Sequence, residues 1–231
     1  ANTAGGLNDA AFGCAGQRCM AGSTAVLIGK AADRLINPLS EIVSKIQVGP
    51  TDRGSGGTMG AVISPAHRDR VGQLLESGVR DGAELLIDGR GVDVPEEPNG
   101  FYMGPSILDR VESEMEIARE EVFGPVLNLM RFDDLEAAIE LANNTPFGNG
   151  ACIYTQSGSA AREFKHRIKA GMVGINVGVP APLAYFPFSG WDYSFFGDLH
   201  LQGRESVLFY TRHKVTTSPV SYTHLTLPTK A

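Results

Sequence analysis

Apolar residues along the chain follow two rhythms. Compact β-prone runs occur at residues 24–28, 84–87, 101–108, 126–132, 151–155 and 172–177. Between them the spacing becomes helical. Leu35, Leu39, Ile42, Val43 and Ile46 form one stripe, and Val71, Leu74, Leu75 and Val79 a second. Leu135, Ala138, Ile139 and Ala142 form a third, with Asp133 as its expected cap. Ser64 before Pro65 reads as an N-cap followed by proline at the first helical position. Ser157 is expected to begin a helix that carries Phe164 and Ile168 and stops near Gly171. Pro38 should kink or shorten the first helix, because it lacks the N–H that a helix interior needs. Residues 95–100 form a polar loop. Strands alternating with helices predict an α/β fold: a mostly parallel sheet with flanking helices.

The alternation breaks at residues 190–203, which are rich in glycine and aromatics. Residues 205–217 then read as one long strand through Val207, Phe209, Thr211 and Val215. No partner strand is evident, so it is expected to pair with another subunit or with sequence upstream of this chain.

Composition narrows the function classes. The 231 residues are 42% hydrophobic and 20% charged, ordinary for a globular protein. A net charge of −6 argues against a nucleic-acid or anionic-membrane partner, since phosphate-binding surfaces are basic. Cys14, Cys19 and Cys152 do not make a disulfide framework, which points to a reducing, cytoplasmic setting. They also lack zinc-ligand spacing, so no metal site is expected. No apolar run reaches the roughly 18 residues that a membrane span needs. The first residues carry neither a starting Met nor a signal peptide, and an upstream part is expected to be absent.

The 28 glycines raise the question of a nucleotide loop. Gly54-Ser55-Gly56 is followed by Met59, and Gly148-Asn149-Gly150 by Ile153, where the dinucleotide fingerprint needs glycine. Gly29-Lys30 is followed by Ala31, so a P-loop is also missing. These glycines read as turns and helix ends. A dinucleotide would find most of its site outside this chain.

The stretch from Gly13 to Met20 carries the chemistry. A cysteine is commonly a small buried hydrophobe. Cys19 stands apart because Gly16 and Gln17 allow a ligand close to the backbone, and the cation of Arg18 would favour a thiolate. Cys14 reads as structural and Cys152 as core.

Gly16-Gln17-Arg18-Cys19 resembles the nucleophile motif of the aldehyde dehydrogenase superfamily. Glu120-Glu121-Val122-Phe123-Gly124-Pro125 resembles its Glu-x-Phe-Gly-Pro motif. Ala138, Ile139, Ala142, Asn143, Phe147, Gly148 and Ala151, followed by Gly171 through Asn176, match in order. The resemblance runs from about Ala10 to Ser218. Residues 187–191, 194–200 and 209–211 are similar to the CoA-acylating, methylmalonate-semialdehyde dehydrogenase branch.

That resemblance implies residues 1–190 as a catalytic thiol domain and 191–204 as a return segment toward a cofactor domain. It implies 205–218 as an oligomerisation strand in a homo-oligomer, a dimer or tetramer. Residues 219–231 depart from the family and read as a non-native tail. Cys19 would attack an aldehyde to give a thiohemiacetal, whose carbon would lose hydride to NAD and leave a thioester; coenzyme A would then take the acyl group, with loss of carbon dioxide from malonate or methylmalonate semialdehyde. The Cys19 N–H would help hold the oxyanion. Arg18 would grip the substrate carboxylate; the alternative is an Arg that is solvated or structural. Glu121 would bond the nicotinamide ribose, or else be a plain helix-end or surface carboxylate. Phe123 would pack beside the nicotinamide, or else sit in the core. No role is expected for His67, His166, His200 or His213. Two other readings stay open: a hydrolytic semialdehyde dehydrogenase, and an inactive structural or binding homologue.

Overall fold

The computed structural model describes residues 2–52 and 57–219. The chain runs α1 (Asn2–Phe12), β1 (Thr24–Ile28), α2 (Ala31–Val43), α3 (Pro65–Arg80), β2 (Glu84–Ile87), β3 (Ser106–Asp109), α4 (Glu116–Arg119) and β4 (Val126–Phe132). It continues α5 (Leu135–Asn143), β5 (Phe147–Gly148), β6 (Gly150–Ile153), α6 (Gly158–Arg167), β7 (Met172–Ile175), β8 (Trp191–Asp192) and α7 (Gly203–Tyr210).

The main sheet has the order β1-β4-β3-β2. β4 pairs in parallel with β1 (Val26 opposite Met130) and with β3 (Ile107 opposite Leu127). β2 joins the β3 edge antiparallel, so the sheet is mixed. The first five residues of β4 are all buried, because elements cover both faces of a central strand. That burial explains its nearly continuous apolar sequence. Leu39 and Val43 of α2 and Val71 and Leu75 of α3 are at most 1% exposed and share one core with Ile107, Leu127 and Leu129. A smaller core of Ile139, Phe164, Ile168 and Ala170 adjoins partly buried Ala151, Ile153 and Val173 of the parallel β6–β7 pair.

Asp109, 1% exposed, ends β3. It accepts from Arg131 Nε at 3.1 Å and from Arg110 N at 2.8 Å, with a further contact to Arg131 Nη2. Burial pushes its carboxyl upward, but the hydrogen bonds from Arg131 and Arg110 outweigh this and hold it below the usual range.

Several local expectations match. Ser64 accepts from His67 N at 3.1 Å and caps α3 with Pro65 behind it. Ser157 caps α6, accepting from Ala160 N at 3.2 Å. Other expectations need correction. The cap of α5 is Asp134, which accepts from Ala137 N at 2.9 Å, and not Asp133. α2 continues through Pro38 to Val43. α6 ends at Arg167, short of Gly171.

The expected strand over 205–217 is not formed. Gly203–Tyr210 is helical, and residues 211–219 belong to no helix or strand. An unpaired strand leaves its backbone donors and acceptors without partners, whereas a helix satisfies them within the segment. His200 takes part here: its backbone N–H donates to Glu205 Oε2 at 2.5 Å, and its Nδ1 lies 2.8 Å from the same oxygen. Its ring stacks on Phe195 with centroids 4.3 Å apart. These bonds tie the return segment to the first turn of α7 and lower the pKa of Glu205. The proposed non-native tail lies outside the described residues from position 220 onward.

Candidate active site

Two loops distant in sequence build the site. The first leaves α1 through a tight turn, Gly13–Gly16, in which Cys14 and Ala15 both have a φ of 54°. Gly16 follows at φ +69°. A Cβ there would collide with the carbonyl oxygen of Gly124 and lie 3.0 Å from that of Ala11. Glycine is therefore required at position 16 both for the backbone conformation and for the close approach of the second loop. Cys14 is exposed on this turn, and Cys152, expected in the core, is only half-buried, with its Sγ 3.6 Å from Gly178 O.

Arg18 folds back onto α1. Its Nη2 donates to the carbonyls of Asp9 at 2.5 Å and Ala10 at 3.3 Å. A cation at the last turn of a helix pairs with the carbonyls that have no helical partner. Arg18 thus makes structural contacts with α1 and also lines the concavity beside Cys19. Ala21 N donates to Arg18 O at 3.0 Å, closing a turn that presents Cys19 at its outer corner. The thiol is exposed.

The second loop, residues 120–125, is held by the start of α3. Arg70 Nη1 donates to the carbonyls of Glu121 at 3.1 Å and Val122 at 3.2 Å, and its Nη2 lies 3.6 Å from Glu120. His67 Nε2 donates to Phe123 O at 2.8 Å. Val122 is buried beneath the loop. Phe123, at φ 49°, is turned outward and 38% exposed, so it is not a core residue. Glu121 is exposed beside it.

Gly16 meeting Gly124 brings the two loops edge to edge. Arg18, Cys19, Ser23, Glu121 and Phe123 line one concavity, so all four residues singled out from the sequence come together. Chemically, this is an accessible thiol, a guanidinium, a carboxylate and an aromatic face on one surface. His67 and Arg70 escaped the sequence reading. Their one signal is a spacing of three in the first turns of α3, which puts both on one helix face. Asn149 also escaped it: its Nδ2 donates to Cys19 O at 2.6 Å across 130 residues of sequence.

Among the described residues no group of three or more His, Cys, Asp or Glu could hold a metal ion, and no helix is long and apolar enough to cross a membrane.

Residues 1–216 match the model of the aldehyde dehydrogenase family. Malonate-semialdehyde dehydrogenase 2 of Geobacillus kaustophilus (strain HTA426) is 48% identical over 210 residues, which cover 91% of this chain and 43% of that protein. The crystal structure of methylmalonate-semialdehyde dehydrogenase from Oceanimonas doudoroffii superposes with a TM-score of 0.91 at 43% identity, over 96% of this chain and 46% of that one. An NAD complex of a proposed methylmalonate-semialdehyde dehydrogenase from Sinorhizobium meliloti 1021 gives 0.92 at 41% identity, over 96% and 45%. The chain thus spans under half the length of the relatives it matches. On its sequence motifs, its fold and the match over residues 1–216, this chain belongs to the aldehyde dehydrogenase family.

Proposed function

We propose that this chain is the thiol-bearing part of an NAD-dependent dehydrogenase of malonate or methylmalonate semialdehyde. The observation that carries the reading is the exposed Cys19 on the concavity that also holds Arg18, Glu121 and Phe123. The sulfur of Cys19 adds to the aldehyde carbon, and the carbonyl oxygen takes up negative charge as the C–S bond forms. The Cys19 N–H donates to that oxygen and stabilises the charge. The substrate carboxylate takes the donors of Arg18 that α1 does not use.

The residues suit the cofactor. An exposed carboxylate at Glu121 can accept from a ribose diol, and the outward ring of Phe123 can flank a flat heteroaromatic ring. NAD, when bound, accepts the hydride and leaves the acyl group on Cys19 as a thioester. The remaining carboxylate is β to the thioester carbonyl. Cleavage of that C–C bond releases carbon dioxide and leaves an enolate, which is protonated at carbon. The thiolate of coenzyme A then displaces Cys19, giving acetyl-CoA or propionyl-CoA.

The relatives named malonate- and methylmalonate-semialdehyde dehydrogenases support this substrate class. A homo-oligomer, dimer or tetramer, forms through residues 211–218, which are exposed and outside any strand here. The setting is cytoplasmic. The test is NADH formation from malonate semialdehyde in the protein that carries this chain, with and without coenzyme A. NADH and acetyl-CoA should appear together, and Cys19→Ser should abolish both. Turnover to a free acid, indifferent to coenzyme A, would establish the hydrolytic reading instead.

A further inference from the structure

We infer that Asn149 is a positioning residue for Cys19, an inference that rests on Cys19 being the nucleophile. Both peptide planes flanking Cys19 are pinned. The carbonyl of Arg18 accepts from Ala21 N at 3.0 Å, which orients the plane before Cys19. In a trans peptide the next N–H points opposite to that carbonyl, so the same bond sets the direction of the Cys19 N–H. The plane after Cys19 is set by its own carbonyl, which accepts from Asn149 Nδ2 at 2.6 Å. With both planes held, the Cα–Cβ bond of Cys19 has one direction, so the N–H and the Cβ from which the sulfur swings keep a fixed relation to a bound carbonyl.

Asn149 is itself anchored. It lies between β5 and β6, and its carbonyl accepts from Met172 N of β7 at 3.1 Å. The neighbouring Gly148 carbonyl accepts from Gly171 N at 2.9 Å. On the other side, a Cβ at Gly150 would lie 2.7 Å from Cε of Met20, whose side chain is 7% exposed. The turn that carries Cys19 is thus pressed against the β6–β7 pair, with Asn149 as the polar bond of that contact. A carbonyl only accepts, so the amide donor is the part of Asn149 that matters.

The test compares Asn149→Ala with Asn149→Asp in the protein that carries this chain. Aspartate keeps the shape and removes the donor. Each variant should lower kcat by about tenfold, the scale of one lost hydrogen bond that orients a reacting group. KM for NAD should stay unchanged, since Glu121 and Phe123 sit on the other loop, and the melting temperature should stay near wild type. Wild-type kcat in Asn149→Asp overturns the inference. So does a loss of kcat that merely follows the loss of folded protein. A Cys19→Ser variant that still forms NADH overturns the nucleophile reading itself. Its full loss of activity, beside wild-type kcat in both Asn149 variants, overturns only the role of Asn149.

Discussion

Replacing Gly16 with Ala tests how the site is assembled. The residue sits at φ +69°, where an L side chain costs roughly 1–2 kcal/mol through its Cβ alone. The larger effect is steric. The new methyl group points at the carbonyl oxygen of Gly124, well inside contact distance, and the Ala11 carbonyl at 3.0 Å blocks the other direction. The loops carrying Cys19 and Phe123 must part by about 1 Å to regain ordinary contact. A displacement of that size at a reacting centre lowers turnover by about a hundredfold. The assay is steady-state NADH formation with KM for NAD, alongside thermal melting. Gly16→Ala should lower kcat by about two orders of magnitude and raise KM for NAD, because both loops contribute to one surface. Gly5→Ala serves as control: nothing lies within 4 Å of its added Cβ, and in the interior of α1 it should be neutral or stabilise by about 0.5–1 kcal/mol. Wild-type kcat and KM in Gly16→Ala would refute the claim that the Gly16–Gly124 approach builds the site.

Further outcomes follow from other packing. Phe123→Ala should change unfolding free energy by under about 1 kcal/mol while raising KM for NAD, because the ring is already 38% exposed. A destabilisation of about 3–5 kcal/mol in urea titrations would instead mark a core phenylalanine. Arg131→Met leaves Asp109 buried without its main partner. The cost should stay below about 3 kcal/mol, under the range for a fully buried pair, because 36% of the Arg131 side chain is exposed to water. Since the folded-state pKa of Asp109 is depressed, its contribution is present above the unfolded value of about 3.9 and is lost as pH falls through the lower folded value. Urea unfolding across acid pH should therefore show a flatter profile for Asp109→Asn than for wild type.

Much of the fold was legible because its signals are local. The unbroken apolar run of β4 is what a strand covered on both faces requires, and Ser64-Pro65 and Ser157 announce their helices by capping chemistry within three residues. The sequence also singled out Cys19, Arg18, Glu121 and Phe123 by motif. The segment after Gln202 was misread because Val207, Phe209 and Thr211 alternate like a strand, while nothing in the letters says whether a neighbouring strand is present.

Sequence alone therefore determined the α/β class, the main helices and strands, and the motifs that single out Cys19, Arg18, Glu121 and Phe123. These depend on patterns spanning a few residues. Tertiary structure alone decided that residues 13–19 meet 120–125 through Gly16, that Arg18 turns back to α1, and that Asn149 holds the carbonyl of Cys19. A glycine or an asparagine is the same letter whether it ends a turn or receives another backbone. Which it does is set by elements as many as 130 residues away, and becomes visible only when those elements pack.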